Sequence, residues 1–398
     1  MPQNLPVRLT AQGERHLRAK HPWIFSDSIE SLKGEGKTGD LAVIFDRKKN
    51  KFIGVGLYDP DSPIRIKMLH SGGPARINAE FFQARIAEAH ALRAPLLATD
   101  TNSYRLLNGE NDGFPALIAD VYAEVIVVKV YSMIWHTYFD DILAALLETT
   151  GCTTAVLRMS RNVQKHSDLP EGWTEGAVIH GELPNSTVLF QEHGITLSAD
   201  VINGHKTGFF LDHRNNRKRV GELSEGKQVL DIFSYAGGFS VHALAGGARE
   251  VTSLDISAKA LEVARANVAL NFPDAPHKTI AGDAFEVMEK LARDGKTYGL
   301  LIVDPPSFAK KASEVEGALR AYQRLTKLSV PLVEKGGILL LASCSARVDA
   351  ETFYELQKQA LNYSGRSWKE LERTAHDVDH PATFPEGKYL KSMYVLMG

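Results

Sequence analysis

From about residue 191 the chain alternates short apolar runs with amphipathic stretches, and this alternation restricts the fold more than any other feature. "KQVLDIF", "REVTSLDI", "HKTIAG", "YGLLIVD" and "GGILLLAS" read as strands, and "SAKALEVARANVALN" and "DAFEVMEKLARD" between them read as helices. Apolar strands joined by helical crossovers belong to a parallel, doubly wound sheet with both faces covered. The expected class is α/β, with this Rossmann-like sheet over residues 191–398. Ahead of it, residues 1–72 carry short β-branched runs punctuated by Gly, Asp and Pro ("GDLAVIFD", "KFIGVGLYD", "SPIRIKML"), which predict a small β-rich domain. Residues 73–190 mix helical spacing ("AEFFQARIAEAHALRAPLL") with a strand, a turn and a strand ("ALIADVYAEVIVVKVYS"), a central α/β domain.

Four carboxylates mark the ends of successive strands. Asp231 lies at the end of the first, Asp255 ends the second, Asp283 the third and Asp304 the fourth. Open α/β sheets bind ligands at this edge. After Asp231, Gly237 and Gly238 open the next helix, a turn whose backbone N–H groups suit an anion or carboxylate. It is neither GxGxxG nor a Walker motif, so the dinucleotide and NTP fingerprints are not met. Aspartates also cap helices routinely; four in register beside a Gly turn and Asp304-Pro305-Pro306 are harder to ascribe to capping alone. S-adenosylmethionine suits an acidic edge better than NAD, having a ribose, a cationic sulfur and an α-amino group but no pyrophosphate. The set resembles the class I S-adenosylmethionine-dependent methyltransferases.

In that family's sheet order the fifth strand lies beside the fourth. "ILLLASCSAR" would then bring Cys344 next to Asp304. A thiolate adding to C6 of a pyrimidine makes C5 nucleophilic, and a neighbouring carboxylic acid can protonate or hydrogen-bond cytosine N3. A lone cysteine is more often a small buried hydrophobe, the reading kept for Cys152. The two cysteines offer no disulfide framework and no zinc spacing, so no metal is expected. With no secretory leader, a reducing cytoplasm is the expected compartment.

The likeness extends through nearly the whole chain. "AKHPWIFSDSI" resembles the entry to a PUA-type RNA-binding domain. "QEHGITLSAD", "GHKTGFFLDHRNNR", "DPPSFAK", "SCS" and "DHPATFPEGKYLK" resemble the bacterial 23S rRNA cytosine-C5 methyltransferase family of the RlmI type. The resemblance implies a PUA domain, a central domain and a methyltransferase domain acting on 23S rRNA; no apolar run approaches the roughly 20 residues of a membrane span, so no membrane is expected, and a homodimer is left open. It implies Cys344 as nucleophile and Asp304 as acid. It further implies Thr207, Gly208, Phe209 and Asp212 in a loop contacting the cofactor, with Asp231, Gly237, Asp255 and Asp283 completing the S-adenosylmethionine site. Many RNA cytosine-C5 enzymes carry a second cysteine after the first proline of the Asp-Pro motif. Pro306 stands there instead, so the base for the C5 proton is unassigned.

Net charge is −2, which does not mark a nucleic-acid binder. Residues 1–70 nevertheless hold 12 Lys/Arg against 8 Asp/Glu, and "HKTGFFLDHRNNRKRV" holds five against one. Such faces are compatible with a phosphate backbone. Two other functions compete: methylation of another base (uracil C5 or a base nitrogen), and a non-catalytic ribosome-assembly factor. Ser345-Ala346 after the cysteine and Ser307 after Asp-Pro-Pro disfavour the other base chemistries, and an intact Asp304 and Cys344 disfavour the assembly factor.

Overall fold

A computed structural model describes residues 2–398, which divide into two compact units. The first takes the chain up to Leu189, with Ala199–Phe209 and Val378–Phe384; the second takes Phe190–Ser198, Phe210–Asp377 and Pro385–Gly398. The boundary expected near residue 190 falls inside the strand Thr187–Glu192.

Two sheets build the first unit. Six strands between Asn4 and Ser71 form one, in which alternate residues such as Val7, Leu9, Ile44 and Ile66 are buried in a small core. Five strands (Ser103–Asn108, Leu117–Tyr122, Val125–Val130, Thr154–Met159 and Ala177–His180) form the other. The helix Phe139–Thr150 stops at Gly151, whose φ of +70° supplies the left-handed C-cap that ends it. A buried ion pair, Lys67 to Asp59 at 2.6 Å, ties the sheets together, because Asp59 also accepts from the Ser132 hydroxyl at 2.7 Å.

The second unit is organised by a seven-stranded sheet, labelled here β1 (Gln228–Ile232), β2 (Glu250–Asp255), β3 (His277–Ala281), β4 (Tyr298–Val303), β5 (Val333–Ser343), β6 (Trp368–Thr374) and β7 (Lys391–Met397). Its helices are α1 (Arg214–Glu222), α2 (Gly238–Ala245), α3 (Ala258–Asn271), α4 (Ala284–Arg293), α5 (Val315–Ser329) and α6 (Ala350–Asn362). The strand order is β3-β2-β1-β4-β5-β7-β6. The first five strands are parallel, whereas β7 pairs antiparallel with β5 and β6 with β7. The five strands read from the alternation are parallel as expected, and β7 and β6, which it did not show, make the complete sheet mixed. Once α6 has returned the chain there is no further crossover helix, so β6 and β7 close as antiparallel neighbours. Helices α1, α2 and α3 pack as one group and α4, α5 and α6 as another. Leu230, Leu301, Leu339 and Leu341 of the sheet are buried in a core shared with α4, α5 and α6; truncating one to Ala costs about 2–5 kcal/mol.

Strand order reverses between β1 and β4, and a ligand crevice belongs at such a switch point.

Candidate active site

The loop after β1 is held under local strain. Phe233 and Tyr235 have φ of +65° and +49°, a region that bulky residues seldom occupy without compensation. The compensation is visible: Tyr235 N–H donates to Asp255 Oδ2 at 2.9 Å, and Asn267 Nδ2 donates to the Ala236 carbonyl at 2.8 Å. Gly237, at φ +74°, is the N-cap of α2, and a Cβ there would fall 2.8 Å from Ala264 Cβ. Glycine is required both by conformation and by the close approach of α3.

Asp231 is buried on β1. One oxygen accepts from Ser240 Oγ at 2.7 Å, while Oδ1 has no hydrogen-bond partner among the described residues. Burial pushes its carboxyl up to about 7; Asp304 and Asp255 push the same way, and the Ser240 bond opposes them. Ser234 Oγ in the strained loop is likewise buried without a partner among the described residues. Buried polar atoms left unpaired are costly, so both suit a ligand that brings polar hydrogens or positive charge.

Asp255 ends β2, its Oδ1 accepting from Ser257 N–H at 2.8 Å. Ile256 beside it is 75% exposed, an apolar surface next to a carboxylate that could take a diol. Asp283 is exposed and caps α4, with Oδ1 accepting from the N–H groups of Phe285 and Glu286. The capping role considered from sequence is thus realised at this one position.

Asp304 follows β4 with its side chain 22% exposed, and His213 Nε2 lies 3.2 Å from its Oδ1. Burial disfavours charge on His213, but Asp304 and Asp212 outweigh it and raise its pKa. Asp212 is itself buried, accepting from the Tyr389 hydroxyl at 2.9 Å.

Cys344 follows β5, which pairs with β4 through Val303 and Leu341. Its Sγ lies 3.9 Å from the carbonyl oxygen of Pro305, so the thiol stands against the Asp304-Pro305-Pro306 loop. The flanking serines are turned inward. Ser343 Oγ donates to the Tyr322 hydroxyl at 2.8 Å and Ser345 Oγ to the Ala309 carbonyl at 3.2 Å. Cys344 is half-buried between two buried neighbours. Cys152, by contrast, is buried in the first unit's core, and burial pushes its thiol up.

The remaining sequence candidates lie in the first unit. Thr207 is fully buried and donates to Asp120 Oδ2 at 2.6 Å; Phe209 is buried with its N–H on the Tyr122 hydroxyl at 3.1 Å. Gly208 has φ +136°, and a Cβ there would meet Ala199 Cβ at 3.0 Å. Sequence reasoning overlooked His213, Asn216, Ile256 and Lys391. A histidine inside the quoted "LDHR" and a lysine opening the apolar "KSMYVLM" were the available signals.

Comparison with known proteins agrees with this geometry. A family model for S-adenosylmethionine-dependent methyltransferases matches residues 105–386, and one for a PUA-like domain matches residues 7–71. The chain is 45% identical over 401 residues to a ribosomal RNA large subunit methyltransferase of Deinococcus radiodurans, covering 99% of this chain and 97% of that protein. It is 35% identical over 391 residues to ribosomal RNA large subunit methyltransferase I of Klebsiella pneumoniae, covering 97% of each. Among solved structures, SMU.776 complexed with SAH matches with a TM-score of 0.83 at 22% identity, over 99% of this chain and 100% of that one, a likeness of fold. The buried acceptors and carboxylates at the β1–β4 edge fit the cationic, diol-bearing cofactor of this family, S-adenosylmethionine. The chain belongs to the S-adenosylmethionine-dependent methyltransferases, in the family that includes the ribosomal RNA large subunit methyltransferases I.

Proposed function

We propose that this enzyme methylates C5 of a cytosine in 23S rRNA through a transient bond between Cys344 and C6. The observation that carries the reading is the position of Cys344 Sγ, 3.9 Å from Pro305 O and beside the Asp304 loop. The relatives' names supply the RNA class.

S-adenosylmethionine, when bound, supplies an electrophilic methyl group on a positively charged sulfur. Asp231, Gly237, Asp255 and Asp283 would hold it, and the resemblance would add Thr207, Gly208, Phe209 and Asp212 as contacts. Cys344 thiolate gives its electron pair to the S–C6 bond, and the C5=C6 pair becomes available at C5. Asp304, as a carboxylic acid, donates a hydrogen bond or its proton to N3, which stabilises the electron-rich ring. After transfer the C5 proton leaves to a base. The S–C6 pair then returns to sulfur as the C5=C6 bond re-forms.

The PUA-like domain offers an RNA surface. A cleft of about 1240 Å³ is lined by Arg15, Arg18, Lys20, Arg47, Lys48 and Lys49, with Glu14 and Asp46 the acidic residues among its walls. Lysine and arginine on such a surface position a nucleic acid by its phosphates.

The test is methyl transfer to deproteinised 23S rRNA with the product mapped. The expected result is 5-methylcytosine, abolished by Cys344→Ala with cofactor binding retained, and a covalent complex on RNA carrying 5-fluorocytosine at the target. Methylated uracil or a methylated base nitrogen would overturn the cytosine-C5 assignment. Wild-type activity in Cys344→Ala would overturn the adduct.

A further inference from the structure

Lys391 is 1% exposed, at the start of β7 and directly across from Ser343, the residue before Cys344. Its Nζ donates to the carbonyl oxygens of Ser345, Val348 and Tyr389, the last at 3.1 Å. An ammonium has three N–H donors and no acceptor, so three carbonyls saturate it and hold the charged form. Among the described residues no carboxylate stands within ion-pair distance of this nitrogen.

Buried cations normally carry an anionic partner, because desolvation is otherwise uncompensated. Two groups that favour the ammonium act on Lys391: Cys344, when ionised, and Asp349. Asp349 is already engaged at the N-terminus of α6, accepting from the N–H and hydroxyl of Thr352. The sulfur of Cys344 is the remaining complement. Burial drives the Lys391 ammonium down to about 8, and Cys344 and Asp349 pull it back up.

Tyr322 and Asp304 are two further ionisable groups near the sulfur. Tyr322 on α5 is pushed up to about 12 by burial, with the Ser343 bond opposing and Cys344 and Asp304 adding to the rise. Asp304, beyond β4, brings no positive charge to the sulfur. A free thiol of reference pKa about 8.5 would be mostly protonated at neutral pH.

We propose that Lys391 is the positioning residue of Cys344: its ammonium clamps the loop that presents the sulfur and supplies the positive charge that favours the thiolate. Lys391 is not the base for the C5 proton, since all its hydrogens are committed to carbonyls. The inference rests on Cys344 being the nucleophile.

The experiment follows alkylation of the full-length protein by iodoacetamide against pH, read at Cys344 by peptide mass spectrometry so that Cys152 does not contribute. The wild-type midpoint is expected at least about one pH unit below the reference thiol value, as a nearby opposite charge dictates. Lys391→Met should raise the midpoint by about one unit or more, and Lys391→Arg should recover part of the shift. S-adenosylhomocysteine binding reports that each variant is folded. A folded Lys391→Met with the wild-type midpoint overturns the proposal. So does a wild-type midpoint at or above the reference, which decides the matter if Lys391→Met does not fold. Wild-type methylation by Cys344→Ala overturns the nucleophile reading instead, and leaves the alkylation midpoints to judge the electrostatic effect alone.

Discussion

His213 Nε2 lies 3.2 Å from Asp304 Oδ1, and the tautomer of that imidazole is set from behind. The hydroxyls of Thr374 and Tyr394 both donate to Asn216 Oδ1, which orients the amide so that its Nδ2 donates to His213 Nδ1 at 3.0 Å. With Nδ1 accepting, the hydrogen of the neutral ring is on Nε2 and faces Asp304. The imidazole stands against one oxygen of Asp304 at ion-pair distance without hydrogen-bond geometry, so a small movement of either side chain would complete the bond.

His213→Ala should lower methyl transfer while leaving cofactor affinity unchanged. Removing an N–H that faces a carboxylate costs about 1.5–3 kcal/mol, a fall of roughly 10- to 100-fold. His213→Gln keeps a side-chain N–H and should recover part of the loss. Single-turnover rates on rRNA check this, and equal rates for Ala, Gln and wild type would show that Asp304 does not depend on the contact.

Asp255→Ala should weaken S-adenosylmethionine binding by about 2 kcal/mol, within the range for hydrogen bonds to charged groups. Asp255 also anchors Tyr235 N–H and Ser257 N–H, so the strained loop should loosen as well. Titration calorimetry is the measurement; unchanged affinity contradicts a cofactor role for this carboxylate.

Asp231 makes stability depend on pH in an unusual direction for a carboxylate. Its folded pKa, about 7, lies above the ordinary value of 3.8, so the folded chain holds the proton more tightly. Its contribution to stability is full below the ordinary value and is lost as pH rises from there through about 7. Asp231→Asn should remove this loss, making the cofactor-free protein comparatively more stable at pH 8 than at pH 5. It should also weaken the cationic cofactor at high pH, where wild-type Asp231 is ionised. Thermal melts at the two pH values test the first part, and parallel shifts in wild type and variant would refute it.

Lys48→Ala with Lys49→Ala should weaken RNA binding and reduce its salt dependence, by about one unit of slope for each phosphate that is no longer neutralised. Both residues are exposed on the PUA-like cleft, outside the second unit, so cofactor binding should not change. An unaltered slope would reduce the basic cleft to a solvated face.

Strands β4 and β5 were legible as continuous buried apolar runs and β1 to β3 from shorter β-branched stretches between helical segments, each with Asp231, Asp255, Asp283, Asp304 or Cys344 at or near its carboxyl end. Strand β6 was not, since "WKELERT" alternates half-buried and exposed positions at the sheet's edge and gives no apolar run. The strand Asn4–Leu9 and the helix Ala11–Arg18 were also missed, each being short with only a few apolar positions.

The chemistry divides along the same line. Local sequence determined which groups stand at the carboxyl edge of the sheet, because a strand's hydrophobic run and the polar residue that ends it are neighbours in the chain. It could not determine how those groups are tuned. The histidine beside Asp304, just ahead of α1, the α1 amide behind it and the β7 lysine clamping the loop of Cys344 are distant in sequence from Asp304 and Cys344. Hydrogen bonds and charge act over a few ångströms of space, whatever the separation along the chain. Only the tertiary structure, by closing β7 against β5, brings Lys391 to the loop of Cys344.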